Sequence, residues 1–295
     1  MEPKKLEDLI GNTPLVKTVN LIKNKKVSLL LKLEGNNPGG SVKDRAAYHM
    51  IRSALDRGDL KKGDKLIEAT SGNTGIALAM IAQLLNIKIE LILPEDSTKE
   101  RIQTMRAYGA KVILTPAGEG IIGSRDYADK KVTEGGYVML NQFANDDNWK
   151  AHYKTTGPEI WRDTNGTITH FISAMGTTGT IMGTSSYLKE QNKRIQIVGA
   201  HPSEGSKIPG IRKWPKAYLP KIFDRNKVDT IMEVSEAEAR AMTKRLALEE
   251  GIFAGMSSGG SVATALKIAN ELESGVIVAI ICDRGDRYLS SDLFD

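Results

Sequence analysis

A single cysteine, Cys282, excludes an internal disulfide framework and suits a reducing compartment. The four histidines, at 49, 152, 170 and 201, fall at no metal-ligand spacing, so no metal site is expected. No apolar run approaches the ~18 residues that cross a bilayer, and the start, MEPKKLEDLIGNTP, lacks a signal-peptide core. No membrane contact is expected, and the cytoplasm is the default location. Aromatic residues make up only 5% of the chain, and the basic residues are scattered, densest at 23–26, 61–62 and 130–131. The net charge of +5 therefore reads as a solvated surface, and no nucleic-acid partner is expected. Internal repeats and low-complexity tracts are absent.

What is present is ordinary globular material: 295 residues, 40% apolar and 26% charged, enough for one large α/β domain or two smaller ones. From residue 65 short apolar runs alternate with helical ones. KLIEA, IKIELILP, AKVILTP and YVML read as strands; GIALAMIAQLL, the STKERIQTMRAYG stretch with its Ser97 to Glu100 capping box, and residues 120–134 read as helices. After the loop NQFANDDN the alternation resumes with HFISAM, IQIVGA and VIVAIIC as strands and TIMGTSSYLKEQ, SEAEARAMTKRLALEEG and SVATALKIANELE as helices. Such alternation predicts crossover connections and mostly parallel, doubly wound sheets. Two α/β layers joined near residue 143 would leave a cleft, the usual place for a ligand. The prolines and glycines of HPSEGSKIPGIRKWPKAYLP, 201–220, predict a long functional loop.

Three turns rich in Gly, Thr and Ser each follow a strand and precede a helix: TSGNTG (70–75), MGTTGT (175–180) and GMSSGG (255–260). At the carboxyl edge of a parallel sheet such turns aim N–H groups and hydroxyls into the cleft and suit an anion. Nucleotide readings fit poorly. GNNPGGSVK (35–43) begins like a P-loop, but Ser41 stands where its lysine belongs and Lys43 falls two residues late. GTTGTIMG lacks the dinucleotide glycine spacing, and the strand after it ends in Ala200, His201 and Pro202 instead of an acidic ribose ligand.

Lys43 is itself badly placed for a surface cation. Ser41 with Asp44 three residues on reads as a helix start, which puts Lys43 in the first turn, where the macrodipole disfavours a cation by roughly 0.3–1 kcal/mol. An amine that must be neutral to form a Schiff base suits that position, with its pKa displaced if it is also buried. A phosphate cradle, such a lysine and small polar groups together answer the demands of pyridoxal 5′-phosphate. A plain surface lysine beside a cap is the alternative.

GNTPLV (11–16), KLEGNNPGGSVKDRAA (32–47), EATSGNTGIALA (68–79), THFISAMGTTGTIMG (169–183) and SSGG (257–260) resemble the cysteine synthase family, the β-substituting branch of fold-type II pyridoxal phosphate enzymes. GPEIWRD, IPGIRKWP and AIICDRGDRYLS are most similar to its B-type O-acetylserine sulfhydrylases. The resemblance implies two α/β domains of the tryptophan synthase β-like kind with the site between them, a smaller mobile one over 38–143 and a larger one over 1–37 plus 144–295. It implies a homodimer that replaces the acetoxy group of O-acetylserine with sulfide or thiosulfate, through an aminoacrylate, to give cysteine or S-sulfocysteine.

Carried onto this sequence, the resemblance makes Lys43 the Schiff-base lysine and α-proton base. Asn73 would bind the cofactor's ring oxygen, and Gly176, Thr177, Thr178, Gly179 and Thr180 its phosphate. Ser257 would face the pyridine nitrogen; a hydroxyl there cannot hold that nitrogen protonated as an aspartate would, which favours early elimination. Thr70, Ser71, Thr74 and Gln142 would hold the amino-acid carboxylate, although Ser71 or Thr74 could simply cap a helix and Gln142 could be a surface amide. Arg212, Lys213 and Trp214 would close over an anionic substrate, or be a surface loop with the tryptophan packed under it; the B-type pattern carries a second arginine where this chain has Lys213. Cys282 would line the site without reacting, or be an inert core thiol. O-phosphoserine as donor, a dehydratase, a cystathionine β-synthase core (without the room for a regulatory domain or a haem-binding extension) and a non-catalytic sensor of amino acids or partners remain open alternatives.

Overall fold

The computed structural model describes residues 3–61, 63–70 and 72–295. Strands β1 (Leu15–Lys17) and β2 (Val27–Leu33) precede helix α1 (Lys43–Arg57). There follow β3 (Lys65–Ala69), α2 (Asn73–Leu84), β4 (Lys88–Pro94), α3 (Lys99–Ala107), β5 (Lys111–Thr115), α4 (Gly120–Glu134) and β6 (Val138–Met139). These four strands form a parallel sheet in the order β5-β4-β3-β6. The chain continues through α5 (Asp146–Lys154), α6 (Thr156–Asp163), β7 (His170–Ala174), α7 (Gly179–Gln191), β8 (Gln196–Pro202), β9 (Thr230–Val234), α8 (Glu236–Glu250), α9 (Met256–Glu271) and β10 (Gly275–Ile281). A second sheet of six strands runs β1-β2-β10-β7-β8-β9, parallel except where β1 meets β2.

Period-two alternation along each strand feeds a core on either face. In β10, Ile277, Ala279 and Ile281 pack with Val262 and Ala265 of α9, whereas Val278 and Ile280, with Cys282 just beyond the strand, face Ile181 and Leu188 of α7. In the smaller sheet Leu66, Leu91 and Leu93 pack on α1 and α2, and Ile67, Ala69 and Ile92 meet Ala128 of α4. Both sheets are thus covered on two sides, as near-continuous apolar parallel strands require. Among the described residues no helix is long and apolar enough to cross a membrane.

Local expectations differ from the structure in four places. The periodicity did not pick out β1, β2, β9, α5 or α6, and residues 146–148 of the expected loop open α5. The last helix begins at Met256, five residues before the expected Ser261, because its glycines are helical packing residues: a Cβ on Gly259 would lie 2.2 Å from the Ala239 carbonyl oxygen of α8. The Ser97 to Glu100 box does not form, since Ser97 Oγ donates to Pro94 O at 2.7 Å and the Glu100 carboxylate accepts from Ser290 N and Oγ at 2.7 and 2.6 Å. A similar exchange occurs at α1, where Val42 is the cap residue, Ser41 Oγ accepts from Lys43 N at 3.2 Å, and the Asp44 carboxylate reaches past Ser41 to accept from Gly39 N at 2.5 Å. Ser235 and Glu238 form a capping box at the start of α8, and Gly251 closes that helix in the left-handed region.

Candidate active site

Lys43 is the first residue of α1 and is half-buried. The turn before it is tied to the larger sheet, because Val42 N donates to Cys282 O at 2.8 Å just past β10. Burial pushes the neighbouring Asp44 carboxyl up to about 7, against the Gly39 N–H bond and the nearby Arg287 guanidinium.

The turn between β3 and α2 faces Lys43. Gly72 sits at φ 136, a conformation open to glycine, and a Cβ there would lie 2.5 Å from Arg101 Cδ. Asn73 is held at both ends of its amide: Nδ2 donates to Asp283 Oδ2 at 2.6 Å, and Oδ1 accepts from Arg287 Nη1 at 2.7 Å. Arg287 also donates to the Gly39 carbonyl, so one side chain fastens the lysine turn to the asparagine turn. Thr70 is buried behind this loop and accepts from Gly72 N and Gly75 N at 3.1 and 3.0 Å; it caps α2 and does not line the cavity. Ser71 lies outside the described residues. Thr74 Oγ1 donates to Gln142 Oε1 at 2.8 Å, and Gln142 Nε2 donates to Ala69 O at 2.8 Å, so Gln142 is a buried, doubly bonded amide.

Opposite lies the N-terminus of α7. Thr178 precedes the helix at φ 71, and its Oγ1 is buried with no hydrogen-bond partner among the described residues. Thr177 Oγ1 accepts from Asn148 Nδ2 at 3.2 Å and, weakly, from Gly179 N at 3.4 Å, while Thr180 Oγ1 lies 3.4 Å from His152 Nε2. Burial, with the Arg45 and Lys43 charges, lowers the His152 pKa well below the ordinary histidine value. Ser257, buried in the first turn of α9, stands beside Gly210, whose Cβ, if it had one, would be 3.3 Å from the serine Oγ. Cys282 is buried with its thiol pushed up to about 11 by desolvation, although the Lys43 charge opposes this; it is a poor nucleophile.

One cavity is lined by Lys43, Asn73, Thr74, Gln142, Gly176, Thr177, Thr180, Ser257 and Cys282, together with Arg212 and Trp214. Trp214 Nε1 donates to Gly176 O at 2.8 Å, and its ring meets Phe143 edge-on at 5.2 Å. Lys213 is not brought to this cavity. It is exposed and pairs with Glu233 at 2.7 Å. The other arginine at the wall is Arg101 of α3, stacked over Tyr288 at 4.6 Å. Burial and the like charge of Arg101 lower the Arg212 pKa.

The family model for pyridoxal-phosphate dependent enzymes matches residues 6–283. The chain belongs to that family. It is 59% identical over 290 residues to cysteine synthase B of Pseudomonas aeruginosa, covering 98% of this chain and 97% of the relative. Cysteine synthase B of Escherichia coli is 55% identical over 289 residues, 98% of this chain and 95% of the relative. Among solved structures, cysteine synthase from Entamoeba histolytica superposes with a TM-score of 0.94 at 36% identity, covering 100% of this chain and 91% of that one.

The cofactor of this family fits the cavity on the chain's own geometry. The orphaned Thr178 hydroxyl stands at the start of α7, where the first helical N–H groups have no intrahelical acceptor. A phosphate there would meet both needs. Reading the sequence missed several groups that build the site. Arg101 and Arg287 carry no local motif and arrive by packing of α3 and the C-terminal segment. Arg125 of α4 lies 4.4, 5.7 and 5.4 Å from the rings of Phe143, Trp214 and Tyr218, a cation–π clasp between α4 and the 201–220 loop.

Proposed function

We propose that this chain is a cysteine synthase that uses pyridoxal 5′-phosphate to replace the acetoxy group of O-acetylserine with a sulfur nucleophile, sulfide or thiosulfate. The observation that carries the reading is the convergence of Lys43, Asn73, the α7 N-terminus and Ser257 on a single cavity. Bound there, the cofactor supplies a sink for the electrons released at the substrate Cα.

The chain's own groups divide the remaining work. Lys43 anchors the cofactor and moves the proton at Cα. The α7 N–H groups with Thr178 and Thr180 neutralise phosphate charge. Asn73 keeps one amide N–H for the ring oxygen, the other being spent on Asp283. Ser257 offers the ring nitrogen a neutral hydroxyl. Thr74 and Gln142 orient the amino-acid carboxylate, with Thr70 supporting their loop from behind. Arg212 and Arg101 draw anions inward, while Phe143 and Trp214 wall out water. We take residues 38–143 as the smaller, moving domain, and a cytoplasmic homodimer as the working unit, from the family likeness.

Purified protein supplied with the cofactor, O-acetylserine and sulfide should release acetate and cysteine in equal amounts, and O-acetylserine alone should change the visible spectrum. An unchanged spectrum with no acetate would sink the reading. Within it, Arg212→Ala should raise the KM for the sulfur donor ~10-fold, as loss of a charged hydrogen-bonding group does, and Lys213→Ala should leave it within ~2-fold because its partner is an exposed glutamate. The reverse order in steady-state kinetics would return Lys213 to the site.

A further inference from the structure

Glu68, at the end of β3, is a buried carboxylate that the chemistry above does not use. It does not line the active-site cavity; it borders a smaller one behind it, with Arg125, Asp129 and Phe143. Its Oε2 accepts from Asn141 N at 2.9 Å and its Oε1 from Gln142 N at 3.3 Å. Those two N–H groups belong to a turn in which Asn141 takes φ 53, a left-handed conformation that asparagine tolerates but does not prefer.

Two side-chain links run from this turn into the site. Gln142 bonds Thr74 Oγ1 and Ala69 O through its amide, each at 2.8 Å. The Gln142 carbonyl accepts from Asn148 Nδ2 at 2.7 Å, and the same amide reaches Thr177 Oγ1 at 3.2 Å beside the phosphate cradle. We propose that Glu68 is a positioning residue: its carboxylate holds the Asn141–Gln142 turn in its left-handed form and thereby aims Gln142 and Thr74 at the amino-acid carboxylate. This rests on the reading that Thr74 and Gln142 bind that carboxylate.

A carboxylate accepts both N–H bonds fully; the neutral acid gives up part of that capacity to its own proton. Burial raises the Glu68 carboxyl to about 8, the two turn N–H groups oppose the rise, and the charged groups facing it are Asp129, which adds to it, and Arg125, which opposes it, both on α4. As pH falls through about 8 the group takes up its proton and the turn loosens, so the KM for O-acetylserine rises on the acid side.

Glu68→Gln fixes the neutral state and sets an NH₂ against a backbone donor. Above about pH 8, where wild-type Glu68 is ionised, steady-state kinetics of the cofactor-loaded variant should give a ~10-fold higher KM for O-acetylserine than wild type, in line with one buried donor left unsatisfied. The KM for sulfide and the visible cofactor band should stay as in wild type, and the inflection near pH 8 should vanish from the KM profile. Wild-type KM with the inflection intact overturns the proposal, as does an equal rise in both KM values with loss of the band, which marks general damage. Should Glu68→Gln not fold, Gln142→Ala decides: an inflection present in wild type and absent in Gln142→Ala supports the role, and its absence from wild type refutes it. If Thr74→Ala and Gln142→Ala both keep a wild-type KM, the carboxylate reading fails; if they raise it while Glu68→Gln does not, Glu68 alone is excluded.

Discussion

Lys43→Ala should fold normally and lose at least ~10³-fold in turnover, because it removes in one step the anchor for the cofactor and the group that moves the α-proton. Folding is spared because Lys43 opens α1 and is half-buried, and alanine is the better helix former. The variant should show a different visible spectrum from wild type when supplied with pyridoxal 5′-phosphate. Borohydride reduction of the wild-type enzyme, followed by mass spectrometry of its peptides, should find the added mass on the peptide containing Lys43. Lys43→Arg is the sharper control: guanidinium keeps the charge and packing but stays protonated, so it should be as inactive as alanine. A wild-type band in Lys43→Ala, or the label on another lysine, would remove Lys43 from its place in the mechanism.

The Gly/Thr/Ser side of the cavity was legible because its turns are local. A Gly/Thr turn between a strand and a helix must present N–H groups at the carboxyl edge of a parallel sheet, and Gly176, Thr177, Thr180 and Ser257 line the cavity there. The parallel sheets followed from the same alternation. The outer wall was less legible. Arg212 and Lys213 read as a basic pair from adjacency, yet neighbours in a chain without helix point apart, and only Arg212 and Trp214 reach the cavity. Thr70 and Thr74 were read alike, but their places relative to the α2 N-terminus make one a cap and the other a cavity wall. Glu100 left its expected capping box because Ser290, nearly two hundred positions away, offers two donors. Competition between local and distant partners of that kind has no signature in a single sequence.

The largest stability effect should come from Arg45, two residues beyond Lys43. Its guanidinium, 1% exposed, bonds Glu34 through Nε and Nη2 at 2.7 and 2.8 Å and Glu159 through Nη1 and Nη2 at 2.6 and 2.8 Å. Lys32, itself buried, pairs with Glu159 at 2.9 Å and Asp163 at 3.3 Å. Arg45→Met would leave Lys32 facing both Glu34 and Glu159, Asp163 being shared with Arg162 at 2.8 Å, and breaking a buried pair from one side costs about 3–5 kcal/mol. Arg45→Lys keeps the charge without the two-pronged fork and should fall between. The pH dependence gives the sign. Burial pushes the Glu159 carboxyl up, but Arg45 and Lys32 outweigh it and bring it down to about 2, below its ordinary 4.5. In wild type this pairing therefore adds stability above about pH 4.5, and the gain is lost as pH falls towards about 2. Glu34 is also held below its ordinary value and adds in the same direction. Without Arg45 burial dominates, the carboxyls titrate above their unfolded values, and the variant should gain stability as pH falls from 7 towards ~4.5. Urea unfolding at pH 7 and pH 5 measures both slopes. A variant with the wild-type slope, or one destabilised by less than ~1 kcal/mol at pH 7, would mean that the cluster does not hold α1, and with it Lys43, against β2 and α6.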